Sequence, residues 1–98
     1  MTAAEFDEII HAPLRLRLCA SLVKVDQASF ALLRDLLDVS DSTLSKHLST
    51  LEGAGYVKVT KAVSAGRVRT TLSLTRAGRR AYAGHLAALR AIVDDAAE

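Results

Sequence analysis

Six residues between positions 42 and 50 carry hydroxyls or a positive charge: Ser42, Thr43, Ser45, Lys46, Ser49 and Thr50. Leu44, Leu48 and Leu51 are interleaved among them at i, i+4 and i+7, the spacing of one face of a helix turned to an interior. The opposite face is then Ser42, Lys46, Ser49 and Gly53, with Thr43, Ser45 and Thr50 at its edges. That face is small, polar and positive, and holds no acid. Small hydroxyls allow close approach to a partner and bond phosphates or base edges, and a lysine reaches either. The N-terminus of such a helix also offers free N–H groups to a phosphate. A merely solvated helix usually mixes Glu with Lys. The reading is therefore insertion of helix 41–54 into the major groove of double-stranded DNA.

A second basic cluster follows. Residues 56–62 alternate and are rich in β-branched side chains, as are residues 67–74, and Ser64-Ala65-Gly66 between them is a turn signal. Two alternating runs around such a turn predict a β-hairpin. Lys58 and Lys61 lie on its first strand, and Arg67 and Arg69 follow the turn. Arginines on a slim tip lie along a phosphate backbone or enter a minor groove. Charged residues also protect strand edges from aggregation. Arg67 and Arg69 are assigned to DNA; Lys58 and Lys61 stand between the two roles, and Lys61 is carried with the arginines as a wing residue.

Other chemistry is poorly supported. Cys19, His11, His47 and His85 show no metal-ligand spacing, so no metal site and no cofactor are expected. Cys19 reads as buried packing, and His47 as a helix–helix or phosphate contact. The serines have no acid-oriented base beside them and there is no glycine-rich phosphate loop, so no enzyme and no catalytic residue are expected. A single cysteine, no signal-like N-terminus and no long apolar run suit a cytoplasmic protein with no membrane partner.

The elements that must position these residues follow from periodicity and caps. Residues 3–11 read as a short helix with Phe6, Ile9 and Ile10 on its apolar side. Pro13 opens a second helix whose Leu14, Leu18 and Leu22 form one stripe. A link over 25–28 has room for one or two strand residues. Ser29 caps a helix with Phe30, Leu33 and Leu37 on one face, ending at Asp38, which tolerates a left-handed backbone. Ser40 caps the next helix, and Gly55 follows its end. So short a link forces a sharp angle, the helix-turn-helix arrangement. Thr75 caps a last helix over 76–95, with Tyr82, Leu86, Leu89, Ile92 and Val93 apolar. The 98 residues fit one domain, mainly α with a small hairpin (an α+β chain) in the order α-α-(β)-α-α-β-β-α. Its parts are a helix-turn-helix at 29–55, a hairpin at 56–74 and a C-terminal helix. The net charge of +2 is unevenly spread, with a balance of −2 over residues 1–40, +6 over 41–80 and −2 over 81–98. A polyanionic partner for the middle block is the natural inference.

The stretch 44–57 (LSKHLSTLEGAGYV) resembles the recognition helix and following strand of MarR- and ArsR-type winged helix-turn-helix regulators. The stretch 66–79 (GRVRTTLSLTRAGR) resembles their wing and the start of their last helix, and 11–18 (HAPLRLRL) the start of a compact MarR-like subgroup. The resemblance spans about Phe6 to Leu89. Two positions depart from the pattern: Asp38 stands where glycine is common, and Gly53 where glutamate is. The resemblance implies a homodimer with a recognition helix in the major groove and the 63–69 wing on the backbone or minor groove. The long apolar face of the last helix either packs on its own domain or pairs across a two-fold axis. Phe6, Ile10, Tyr82, Leu86, Leu89 and Val93 are the expected dimer-interface residues. The expected function is a sequence-specific dimeric repressor at an inverted-repeat operator, its small-molecule effector unknown. The alternative is a protein-interaction or dimerisation module, which would favour an apolar face where this chain carries hydroxyls and lysine.

Overall fold

A computed structural model describes residues 3–97. The elements are α1 (Glu8–His11), α2 (Pro13–Leu22), β1 (Ala28–Ser29), α3 (Phe30–Leu37), α4 (Asp41–Gly53), β2 (Val57–Ser64), β3 (Arg67–Leu74) and α5 (Arg76–Ala97). The strands form one antiparallel sheet in the order β1-β3-β2. This mostly helical arrangement, closed by a small three-stranded sheet, is a winged helix fold.

The caps follow the sequence. Ser29 Oγ accepts from Leu32 N–H, and Ser40 Oγ from Thr43 N–H. Asp38 ends α3 in the left-handed region, at φ 56° and ψ 53°. Its N–H and that of Val39 return to the carbonyls of Arg34 and Asp35, which closes the helix and turns the chain within three residues. Leu33 and Leu37 of α3, Leu44, Leu48 and Leu51 of α4, and Leu18 and Leu22 of α2 meet Val57, Leu72 and Leu74 of the sheet in one core. Each such side chain contributes about 1.5–3 kcal/mol on burial. Because Leu44 and Leu51 are completely buried, α4 cannot roll about its axis without uncovering them.

Two boundaries differ from expectation. The first helix occupies only residues 8–11, because residues 3–7 run extended along α5, where Glu5 N–H bonds Gly84 O at 3.0 Å. Asp7 caps α1, its Oδ1 accepting from Ile9 and Ile10 N–H. The hairpin turn is also tighter than the tripeptide expected. Ser64 pairs with Arg67, so only Ala65 and Gly66 turn the chain, at φ 54° and 77°. Two successive positive φ angles match the right-handed twist of the strands.

The start of α5 lies hard against the end of the helix-turn-helix. Thr75 N–H bonds Tyr56 O at 3.0 Å, and Thr75 Oγ1 donates to Gly55 O at 2.6 Å while capping Gly78 N–H. A Cβ on Gly78 would sit 2.1 Å from Tyr56 O. Neither partner is a flexible side chain, so the helix itself would have to move. Gly78→Ala is expected to cost about 3 kcal/mol, read as a lowered thermal midpoint by circular dichroism. An unchanged midpoint would mean that α5 does not make this close approach.

Candidate nucleic-acid interface

Three buried leucines set the orientation of α4, and its outer face follows. Ser42, Thr43, Ser45, Lys46, Ser49 and Thr50 are all exposed. Ser40 gathers the first of them: its Oγ lies 3.2 Å from Ser42 Oγ and donates to Thr43 Oγ1 at 2.9 Å. Thr50 Oγ1 donates back to Lys46 O at 3.3 Å. Acids stand only at the margins. Asp41 accepts from Arg34 Nη1 at 3.0 Å. Glu52 lies with Ser45, Ser49 and Lys61 along a cleft of about 350 Å³ between α4 and the hairpin. His47 faces the other way, its Nδ1 3.2 Å from Arg15 Nη1 of α2. Burial and Arg15 lower its pKa, so it is a neutral helix–helix contact.

The hairpin sorts its cations by register. Cross-strand partners share a face. Lys61 pairs with Thr70 on the side facing the cleft, whereas Ala62–Arg69, Ser64–Arg67 and Lys58–Ser73 lie on the other side. Arg67 and Arg69 are exposed near the tip, and Lys58 and Lys61 are exposed on β2. One residue of the basic block is spent internally. Arg79 donates to Val23 O at 3.1 Å and Val25 O at 3.0 Å, clamping the chain that leaves α2.

The helix-turn-helix and the hairpin beside it have counterparts in known proteins. The family model described as a winged helix DNA-binding domain matches residues 14–93. The chain belongs to that family. An uncharacterized protein of Methanocaldococcus jannaschii is 32% identical over 79 residues, covering 81% of this chain and 86% of the relative. A transcriptional regulator homologue from Pyrococcus horikoshii superposes with a TM-score of 0.85 at 30% identity, over 91% of this chain and 88% of that one. ZitR of Lactococcus lactis in complex with DNA shares the fold, with a TM-score of 0.65 at 16% identity over 97% of this chain and 64% of that one. The fold neighbours include MarR and ArsR family members. DNA-binding regulation is the function that this family and fold carry.

The expected interface residues of this winged helix protein divide into two groups. Leu86 and Leu89 are half-buried and Val93 is 64% exposed along the second half of α5, with Ile92 beside it. Tyr82 packs against the core from the same helix. Ile10 is a correction: it has no exposed surface and belongs to the core, so it has none to give a partner. Phe6 is 40% exposed, but its ring rests on His11 and His85 with centroids 4.7 and 4.6 Å away. Among the described residues no group of three or more His, Cys, Asp or Glu is placed to hold a metal, and no helix is long and apolar enough to cross a membrane. Cys19 is buried, and burial pushes its thiol up to about 11, which leaves it protonated and inert.

Sequence reading missed the polar knot behind the winged helix. Asp7 N–H donates to His85 Nδ1 at 3.0 Å, and His85 Nε2 lies 3.0 Å from His11 Nδ1. An N–H facing Nδ1 puts the His85 proton on Nε2, which then donates to His11. Asp7 Oδ2 also accepts from Tyr56 Oη at 2.5 Å, and this bond raises the Tyr56 pKa to about 12. His85 is fully buried, and burial and then His11 lower its pKa. A second ring proton would face the Asp7 N–H. The unfolded chain takes that proton near pH 6.5 and the folded chain resists it, so stability is complete above that pH and falls below it. The thermal midpoint is expected to fall from pH 7 to pH 5, and less steeply in His85→Gln. Parallel profiles for the two proteins would remove His85 from the account.

Proposed function

We propose that the chain acts as one DNA-binding domain that pairs through the second half of α5. The dimer is a sequence-specific transcriptional repressor occupying an inverted-repeat operator. The observation that carries this reading is the outer face of α4: hydroxyls and Lys46 held outward by Leu44, Leu48 and Leu51, beside a hairpin that bears cations and no acid. Ser42, Thr43, Ser45, Lys46, Ser49 and Thr50 approach base edges and phosphates in the major groove, and Lys61, Arg67 and Arg69 hold the flanking backbone. Exposed Ile92 and Val93, with Leu86 and Leu89, give α5 an apolar face for a second copy. Pairing there presents two copies of α4 to half-sites about 34 Å apart, one turn of DNA. The work is binding rather than catalysis.

Titration against genomic fragments at two salt concentrations, followed by footprinting, tests the reading. One fragment bound far above the rest, with a two-fold symmetric footprint, is expected. Equal and weak binding to all fragments would reduce the protein to a non-specific DNA binder. Lys46→Ala and Arg67→Ala are each expected to weaken binding about tenfold and to lower the salt slope by about 1. Both positions are exposed, so the thermal midpoint should not move. Parental affinity in both variants would place the DNA elsewhere.

A further inference from the structure

The wing has two unlike faces. One continues outward from the core, with Val59 paired to Leu72, then Lys61 to Thr70, then Val63 to Val68. Leu72 is fully buried, but Val63 is 74% and Val68 66% exposed. Scattered exposed valines are ordinary. These two form a cross-strand pair at the end of a ribbon that projects roughly 15 Å beyond Leu72 at about 3.3 Å per residue. The turn beyond them, Ala65-Gly66, adds no bulk.

The surroundings of the pair specify a polyanion. No acid occurs in the sequence between Glu52 and Asp94; Lys61 shares the face of the pair, and Arg67 and Arg69 flank Val68 in sequence on the opposite face of the wing. Two wings meeting tip to tip would bring these cations together without counter-charge. The face bearing the pair also borders the cleft between α4 and the hairpin, which is lined by Ser45, Ser49, Lys61 and Thr70 together with Asp41 and Glu52; Asp41 is engaged by Arg34. With α4 in a major groove, the wing tip reaches the adjacent minor groove.

We infer that the Val63–Val68 pair reads the minor groove and selects A·T steps there. This rests on the DNA-binding reading above and adds to it where specificity arises outside α4. The minor-groove edge of a G·C pair carries the guanine amino donor, which A·T pairs lack. Pressed against two valines, that donor loses water and finds no acceptor. Apolar side chains in the minor groove pack instead on sugars and on A·T edges.

Duplexes of about 40 base pairs, randomised in sequence, are selected with the parent chain and with Val63→Ser/Val68→Ser. The parent should enrich a core for α4 and A·T steps flanking it. The variant should keep the core and the salt slope, lose the flanking preference and bind the parental consensus on the order of tenfold more weakly. A measurement that needs no variant uses the parent alone. G·C pairs placed in the flank should weaken binding, and inosine·C pairs, which lack the amino group, should restore it. Inosine·C as weak as G·C, a flank without preference, or a variant that selects like the parent would each overturn the inference. So would a fall in sedimentation mass in the variant with its selection unchanged, which would assign the valines to a second copy. A parent that selects no core would instead sink the DNA reading itself.

Discussion

Asp7 holds three parts of the molecule at one residue. Its Oδ1 caps α1, its Oδ2 takes the Tyr56 hydroxyl at the start of the wing, and its N–H binds His85 of α5. Each bond alone is worth about 1 kcal/mol net, more to a charged group. Their joint effect is geometric, because they tie the first, middle and last segments of the chain behind the presenting face. Removing the carboxylate would leave α1 uncapped and the Tyr56 hydroxyl without its acceptor.

The basic residues divide labour in a way their clustering conceals. Arg79 clamps the carbonyls of Val23 and Val25, and Arg34 is engaged by Asp35 and Asp41, with its pKa raised chiefly by the Asp35 bond. Arg15 bridges Ile9 O and His47. Lys46 on α4 and Lys58, Lys61, Arg67 and Arg69 on the hairpin stay exposed, as do Arg17, Lys24, Arg76, Arg80 and Arg90 elsewhere on the surface. Net charge over the middle block therefore counts Arg79, which is spent inside, while Lys46, Lys61, Arg67 and Arg69 are the cations beside the outer face of α4 and on the wing.

Features decided by near neighbours were legible in the sequence. Ser29 and Ser40 cap helices through partners three residues away, and Asp38 turns the chain through its own backbone. The stripe of Leu44, Leu48 and Leu51 fixed which side of α4 points outward. Features decided by distant partners were not legible. Residues 3–7 look helical by composition, yet they run extended because Gly84 O and His85 lie about 78 residues along the chain. Ile10 carries the same side chain whether it faces a core or a subunit, and only packing shows that it faces the core. The bareness of Gly78 had no local signal either, since its need arises from Tyr56.

That contact between Gly78 and Tyr56 makes α5 a lever with a fixed pivot. A helix of 22 residues is about 33 Å long, and its near end bears on the backbone that leaves α4. A tilt of about 10° at the pivot carries the far end some 5 Å, by the same 1.5 Å rise per residue. Conversely, whatever restrains the far end sets the angle at which α4 is offered, with little slack. A single glycine thus converts distant positioning into angular precision at the presenting helix.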